Sequence, residues 1–326
     1  MTAARTVVVL AAVAAFGVVG GCTSSSDDAA EKVSAALRRP TSTAPSPTST
    51  NPAPACDTRS FRPESELPAP AAMPADSSMA AIQRRGRLRV GVDENTLGFA
   101  WRNASGQLEG LEIDLVGEIA RAIFGDPNRV QYISVVTDDK VKAVEQGKVD
   151  LTASVVSITC ARWLQVAFSS EYYSTAQRVL VNADSDLQHL ADLDHRKVCV
   201  TKGSTTIAEI RRTVPGAVPY PVDARTDCLV ALQEGRVDAI ATHESIIRGL
   251  EYQDPKTTRM LPEAFGDQHY GIAIGKDHID LVRFVNGVLE RMRQDGTLTS
   301  LYARQLLEWG IVPPPVAPAE YQPEAS

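Results

Sequence analysis

The chain has 326 residues, of which 44% are hydrophobic and 22% are charged, a composition typical of globular proteins with one large or two medium domains. Its formal net charge is -7, and the sequence contains no cluster of basic residues. This balance argues against a nucleic-acid-binding function, and we expect no nucleic acid among its partners.

The N-terminus has the features of an export signal. Arg5 precedes an almost uninterrupted apolar run over 7–19, and small residues lead to Cys22. The run is shorter than the roughly 20 apolar residues of a transmembrane helix. A cysteine at the cleavage point resembles a bacterial lipobox, which predicts a signal peptide over 1–21 and acylation of Cys22. An uncleaved anchor and plain secretion are the alternatives.

Two segments lack the apolar periodicity of folded structure. Residues 22–75 are rich in Ser, Thr, Pro and Ala, which predicts a lipid-anchored tether, although Cys56 could attach the part beyond Asn51 to the folded body. Residues 313–326 are Pro-rich and predict a flexible tail. Four cysteines follow Cys22, and in an oxidising exterior an even number favours two disulfides with three pairings open: Cys56, Cys160, Cys199 and Cys228.

Strand and helix patterns alternate between these segments. The run 88–92 is a candidate strand, and 111–123 has helical spacing. One pattern occurs twice, over 143–154 and 231–242, each time as a helix end, a glycine and a short apolar strand. Such a unit is common in α/β proteins, but the long match predicts two similar lobes. Ligands bind beyond the carboxyl ends of strands in open α/β sheets, so residues after each copy should face one cleft.

These features, together with 162–169, Tyr172-Tyr173 and 270–273, resemble the family 3 extracellular solute-binding proteins, which are amino-acid receptors of ABC importers. The resemblance covers about 82–309 and is strongest to glutamate/aspartate-binding and glutamine-binding members. It implies an α/β, two-lobed periplasmic-binding-protein fold of type 2 with two crossing hinge strands and without cofactor or metal. The implied boundaries are 79–178 and 270–312 for lobe 1 and 179–269 for lobe 2.

The resemblance implies a carboxylate site shared by the lobes. Arg162 matches the arginine that holds the ligand's α-carboxylate, and a guanidinium offers two parallel N–H donors to such a group. Thr205 matches a lobe 2 residue whose backbone N–H binds the same carboxylate, and Thr206 with Glu209 predicts a capping box on the next helix. The matching lobe 1 contacts, a carbonyl, an N–H and a hydroxyl in turn, are Ser154, Val155 and Ser157.

Recognition of the ligand's amino group departs from the family pattern. The family places an aspartate just after the second copy, because an ammonium needs an anionic acceptor, and this chain has His243 there. Two alternatives are open. Either Glu244 takes the role, or His243 contributes a neutral acceptor and Asp93 supplies the charge.

Two basic residues, Lys140 and Arg225, match positions that hold the ligand's second carboxylate in glutamate/aspartate receptors, where an unpaired buried carboxylate would be costly. Asp93 replaces an arginine of those receptors, which leaves glutamine and asparagine open as ligands. Phe99 and Trp101 match aromatics that contact the ligand's stem, although aromatics here are also typical of a core.

The implied lobes also predict the disulfides. Cys199 lies on a lobe 2 strand and Cys228 on the helix before the second copy, so they are expected to pair, which leaves Cys56 with Cys160.

Together these interpretations predict a monomeric lipoprotein on the outer face of the cytoplasmic membrane that delivers an acidic amino acid or its amide to an ABC permease. One alternative is a sensor that signals through another integral membrane partner, which would use the same cleft. Another is an enzyme similar to cyclohexadienyl dehydratases, with Glu244 or His243 as proton donor. The sequence lacks the spacing of a nucleophile with its base or of metal ligands, so we expect no enzymatic activity.

Overall fold

The computed structural model describes residues 56–64 and 66–323. The predicted signal peptide over 1–21, the lipidation site Cys22 and the tether up to residue 55 lie outside the described residues. In the described ranges, no helix is both long enough and apolar enough to cross a bilayer.

The helices and strands alternate along the described chain as the sequence predicts. The α-helices are α1 (Ser78–Arg85), α2 (Leu111–Phe124), α3 (Lys140–Glu145), α4 (Cys160–Trp163), α5 (Thr206–Thr213), α6 (Arg225–Gln233), α7 (Glu244–Gln253), α8 (Ile279–Gln294) and α9 (Thr297–Leu306). The strands are β1 (Leu88–Val92), β2 (Asn95–Thr96), β3 (Ala100–Arg102), β4 (Leu108–Glu109), β5 (Val130–Ser134), β6 (Leu151–Thr152), β7 (Ala167–Phe168), β8 (Tyr173–Asn182), β9 (Lys197–Thr201), β10 (Val218–Val222), β11 (Ala239–His243), β12 (Thr258–Met260), β13 (Asp267–Tyr270) and β14 (Ala273–Ile274).

Two main sheets organise the fold. The first has five strands in the order β5-β1-β6-β14-β7, and the second has β10-β9-β11-β8-β12 with β13 also paired to β8. In the first sheet β1 runs parallel to β5 and β6, and in the second sheet β9 runs parallel to β10 and β11. Parallel strands place their carboxyl ends at one edge, so each sheet offers one edge for a ligand.

The chain crosses between the sheets twice. It leaves the first sheet after β7 and enters the second at β8, and it returns from β13 to β14. The two crossing strands pair with each other antiparallel, with Tyr270 opposite Tyr173 and Asp267 opposite Ala176. The expectation of two crossing hinge strands is confirmed, while the numerical lobe boundaries stay a prediction.

Helix α2 packs in the first lobe through its apolar face. Its apolar residues recur at helical spacing, and Leu111, Leu115, Ile119 and Ile123 are fully buried against the first sheet. The helix ends at Gly125, whose φ of 76° is left-handed. Glu112 is a polar exception on the same buried face.

The repeated pattern forms the same structure in both lobes. Gly147 follows α3 with φ 64° and Gly235 follows α6 with φ 66°. The next residue donates its N–H to a carbonyl five positions back in each copy, from Lys148 to Ala143 and from Arg236 to Ala231. This is the Schellman motif, in which the left-handed glycine turns the chain into the following strand. Helix, glycine and strand are therefore confirmed in both copies.

Residues just after Cys56 and near the C-terminus pack on lobe 1, which corrects the predicted tether and tail. Ser60 is buried, donates its hydroxyl to the carbonyl of Phe168 at 2.6 Å, and forms an isolated β-bridge with Tyr321. Asn286 Nδ2 donates to Ser60 Oγ at 2.7 Å. The predicted tether and tail therefore do not describe the segments around Ser60 and Tyr321, because backbone and side-chain hydrogen bonds attach both to lobe 1.

Both disulfides form as predicted. Cys56 pairs with Cys160 across 104 residues, and Cys199 pairs with Cys228 across 29 residues. The first attaches the N-terminal segment to α4, the helix that carries Arg162, and Trp163 Nε1 adds a hydrogen bond to the carbonyl of Thr58 at 3.1 Å.

Replacing the left-handed glycines should destabilise the fold through backbone strain alone. An added Cβ at Gly147 or Gly235 meets nothing within 4 Å, so Gly147→Ala and Gly235→Ala should each lower the free energy of unfolding in urea by about 1–2 kcal/mol. Gly117→Ala is the matched control, because this glycine is helical and its added Cβ makes only a 3.7 Å contact with Pro127. The control should gain about 0.5–1 kcal/mol. Equal effects at all three positions would contradict this explanation.

Candidate functional site

A narrow cleft lies where the carboxyl ends of strands from both sheets meet. Its volume is about 20 Å³, room for roughly one water molecule, because side chains from both lobes fill it. Its lining is Thr137, Lys140, Val155, Ser157, Arg162, Thr201, Ser204, Thr205, Arg225, Thr242, His243 and Ile246. The structure thus brings together seven residues that the sequence predicted: Lys140, Val155, Ser157, Arg162, Thr205, Arg225 and His243.

Arg162 joins the two lobes in this cleft. Thr159 begins helix α4 and accepts the backbone N–H of Arg162 at its hydroxyl. The guanidinium donates from Nη1 to the carbonyl of Ser157 at 2.9 Å and from Nη2 to the carbonyl of Gly203, in the other lobe, at 3.1 Å. Burial lowers the pKa of Arg162 to about 10, so it stays charged at neutral pH. A ligand carboxylate would be a stronger acceptor for this fork than the carbonyls.

Thr205 and His243 form the lobe 2 wall through a polar network. Thr205 Oγ1 donates to Gln268 Oε1 at 2.8 Å and lies 3.5 Å from His243 Nε2. His243 Nδ1 bonds the Tyr270 hydroxyl at 2.6 Å, and that hydroxyl also meets Ser245 Oγ at 2.9 Å. Burial, reinforced by the nearby cations, holds the pKa of His243 well below its ordinary value, so the imidazole is neutral.

The predicted capping box does not form. Helix α5 begins at Thr206 with Thr205 as its N-cap, and no side chain caps it. Glu209 instead pairs with Arg212 at 2.7 Å, one turn further along the helix. The helix begins one residue too early for this signature, because Thr206 is its first residue and not its N-cap.

Arg225 crosses from lobe 2 into lobe 1. It begins α6 and pairs with Asp93 at 2.9 Å, with side chains exposed by only 5% and 11% respectively. Its Nη1 donates to Thr96 Oγ1 at 2.7 Å and its Nη2 donates to Thr137 Oγ1 at 3.2 Å. Burial opposes ionisation of Asp93, but the charges of Arg225 and Lys140 outweigh it and lower the pKa of this carboxyl. Arg225 is therefore a charged residue whose contacts link the two lobes.

Lys140 differs from the two arginines in having no partner. It is 2% exposed, and its ammonium makes no hydrogen bond or ion pair with any residue in the described part of the chain. Burial, together with the charge of Arg225, lowers the pKa of Lys140 well below its ordinary value, while Asp93 and Glu112 oppose the shift. A buried ammonium without a hydrogen-bond partner is costly and tends to lose its proton, so an anion that entered the cleft would favour its charged form.

Glu112 supports the lobe 1 wall and was not predicted from the sequence. Its Oε1 accepts the backbone N–H of Val155 at 2.5 Å and the hydroxyl of Tyr172. Val155 has φ 43°, a strained conformation for a β-branched residue, and this hydrogen bond helps to hold it. Burial raises the pKa of Glu112. The signal was present in the sequence, because Glu112 falls at helical spacing on the apolar face of α2.

Glu112 also corrects part of the predicted lobe 1 contacts. The N–H of Val155 donates to Glu112, so it is not free for a ligand as predicted. Ser154 is buried outside the lining, and its Oγ has no partner among the residues described. Ser157 does line the cleft and accepts from Arg162.

Three further predicted site residues lie outside this lining. Phe99 is fully buried in the core, with its ring 5.1 Å from that of Tyr173, and does not line the cleft. Trp101 packs edge-on against Trp309 at 5.2 Å, also away from it. Glu244 pairs with Arg178 at 3.1 Å and with Arg248 at 3.3 Å, so its carboxylate faces other cations instead of the cleft.

Several small polar residues of the lining were not predicted from the sequence. Thr137, Thr201 and Thr242 lie at or just after strand ends, where the α/β rule places ligand contacts, but threonine is too common for its type to be a signal. Ser204 lines the cleft with a buried hydroxyl that has no partner within the described ranges.

Comparison with known proteins places the chain in a family. Residues 88–308 match the model of bacterial extracellular solute-binding proteins, family 3. The chain belongs to this family. The resemblance stated from the sequence and the two-lobed type 2 fold are thereby confirmed, and the protein is an extracellular solute-binding protein.

Members of family 3 with curated names are similar over most of their length. The chain is 30% identical over 233 residues to the ABC transporter glutamine-binding protein GlnH of Bacillus subtilis, covering 71% of this chain and 85% of that protein. It is 30% identical over 248 residues to the glutamate-binding protein GluB of Corynebacterium glutamicum, covering 73% and 84%. Among solved structures, the ancestral amino acid-binding protein AncCDT-1, a precursor of cyclohexadienyl dehydratase, matches with a TM-score of 0.65 and 28% identity, covering 71% of this chain and 100% of that one.

The buried neutral imidazole should make folding sensitive to acid. Unfolded histidine titrates near pH 6.5, whereas folded His243 resists protonation, so the unfolded state gains the proton first as the pH falls. Between pH 6.5 and 5, the wild type should lose up to about 1.4 kcal/mol of unfolding free energy per pH unit more than His243→Gln, which cannot titrate. Urea unfolding of both proteins without ligand measures this, and parallel pH profiles would contradict it.

Proposed function

We propose that this protein is an extracytoplasmic lipoprotein, anchored through Cys22, that acts as a monomeric receptor of an ABC transporter and binds glutamate or aspartate. The names of GlnH and GluB support an amino-acid ligand and a transporter partner. Membership of family 3 supports a location outside the cytoplasm. Selection of the acid over the amide rests on the cleft.

The observation that carries the proposal is the unpartnered Lys140. Its amine lies in a cleft that also contains Arg162 and Arg225, so Arg162 is placed to bind the α-carboxylate and Lys140 to bind a second carboxylate, while Arg225 already pairs with Asp93. A carboxyamide ligand would leave Lys140 without a counter-charge, and the lowered pKa of its amine then favours the neutral form, which adds little affinity. A second carboxylate supplies that counter-charge, which favours the acidic amino acid.

Closure of the lobes would then depend on the ligand. Arg162 reaches Gly203, and Arg225 reaches Asp93, Thr96 and Thr137, so both arginines already contact the opposite lobe. A ligand with two carboxylates between these arginines would replace their carbonyl and hydroxyl acceptors with carboxylates, which bind cations more strongly. The ligand therefore stabilises the closed arrangement by its greater affinity for it.

A thermal-shift panel of the twenty amino acids tests the ligand class, since a tight ligand raises the melting temperature by mass action. Glutamate and aspartate should give the largest shifts.

Arg162→Ala should then weaken their affinity by about 100-fold or more by calorimetry, because the α-carboxylate loses two charge-assisted hydrogen bonds. Arg121→Ala, on the exposed face of α2, is the control. Wild-type affinity in Arg162→Ala would rule out this carboxylate site.

Lys140→Met separates acid from amide. The variant should bind glutamate about 100-fold more weakly, while its affinity for glutamine changes little, because only the acid loses a charged partner. Its unfolding free energy without ligand should rise, since a buried unpaired cation is removed. Lys142→Met is a matched control on the same helix, because Lys142 is exposed and pairs with Asp138 at 2.8 Å. Equal loss of both ligands would show that Lys140 does not select the side chain.

A further inference from the structure

The α-ammonium of an amino acid needs an acceptor, preferably an anionic one, when it is buried. The cleft contains the cations Arg162, Lys140 and Arg225, and none of the described residues that line it is a carboxylate. His243, which stands where the sequence comparison predicts an aspartate, is a neutral imidazole hydrogen-bonded to Tyr270. The lining is therefore suited to anions and offers an ammonium only uncharged acceptors.

The carboxylates nearest to this lining have other partners. Asp93 pairs with Arg225 at 2.9 Å and also accepts the backbone N–H of Asn95. Glu244 pairs with two arginines outside the cleft. Glu112 is fully buried behind Val155, whose N–H it accepts, and it is not part of the lining. Asp93 and Glu244 are thus already balanced by arginines, and Glu112, whose Oε2 has no hydrogen-bond partner among the described residues, lies outside the lining.

We infer that this cleft recognises its ligand as a dicarboxylate, through the two carboxylates, and does not require an α-ammonium. The inference rests on the proposed function, since it concerns the same cleft and the same cations. It goes beyond an acidic amino acid, because amine-free diacids such as glutarate and succinate belong to the recognised class. An ammonium held near three cations without a facing carboxylate adds little affinity, so its removal should cost little.

Calorimetry on the wild-type protein with matched ligand pairs tests this inference. Glutarate differs from glutamate, and succinate from aspartate, only in lacking the amino group. Each amine-free diacid should bind within about tenfold of its amino-acid partner. Glutamine, which keeps the ammonium but lacks the second carboxylate, should bind at least about tenfold more weakly than glutarate.

The outcomes separate the inference from the proposed function. If glutamate and aspartate bind while glutarate and succinate bind more than about 100-fold more weakly, the inference is overturned and the acidic amino-acid receptor stands. If no diacid binds, with or without the amine, both fail. Comparable binding within each pair supports both.

Two variants at position 243 test whether the charge at this position sets the preference for glutamate over glutarate. His243→Asp restores a carboxylate opposite the ammonium and should raise the preference for glutamate over glutarate by about tenfold or more. His243→Asn keeps the position neutral, so its preference should stay near that of the wild type whatever happens to the two affinities. If both variants shift the preference equally, shape instead of charge is the cause, and the inference is overturned.

Asp93→Asn provides a check on the remaining carboxylate. If Asp93 does not bind the ammonium, this variant changes the affinities for glutamate and glutarate in the same direction and by similar factors. A loss confined to glutamate would identify Asp93 as the ammonium acceptor and overturn the inference.

Discussion

The desolvation of cations between two lobes is the constraint on which the site depends. Arg162, Lys140 and Arg225 converge on a cleft with room for about one water molecule. Charges held there have little access to water, so each is stabilised by an acceptor from the protein or from a ligand. The arginines meet this need by reaching across to the other lobe, and Lys140 does not. Closure of the lobes and selection of the ligand therefore both depend on the free-energy cost of burying these cations.

The scaffold places these cations with rigid elements instead of loops. Lys140 and Arg225 both begin helices that end in Schellman motifs, and each helix leads into a strand of its own sheet. Arg162 lies on a single helical turn, which the Cys56–Cys160 disulfide and the Trp163 hydrogen bond attach to the N-terminal segment. A short helix with so little packing of its own needs such attachments to hold a guanidinium in register.

This cleft differs at position 243 from the pattern that the family resemblance implies, because a neutral histidine replaces a charged aspartate. With His243 in place of an aspartate, the lobe 2 wall becomes a neutral network through Tyr270, Ser245 and Thr205. Asp93 does not restore the negative charge at that wall, because Arg225 binds it from the opposite lobe. Specificity is a difference between affinities, so both the loss of an anionic acceptor and the gain of a cation are expected to affect which ligands bind.

The sequence by itself determined the elements whose causes are local or periodic. Apolar spacing predicted β1 and α2, the glycine pattern predicted both helix–strand units, and the order of motifs predicted family, fold and both disulfides. Tertiary structure decided what depends on neighbours distant in the chain. Phe99 packs in the core, Glu244 meets Arg178, Glu112 takes the N–H of Val155, and the segments around Ser60 and Tyr321 pair with each other. The type and position of a residue do not reveal its partner, because the energy of a buried polar group depends on contacts that only folding brings together.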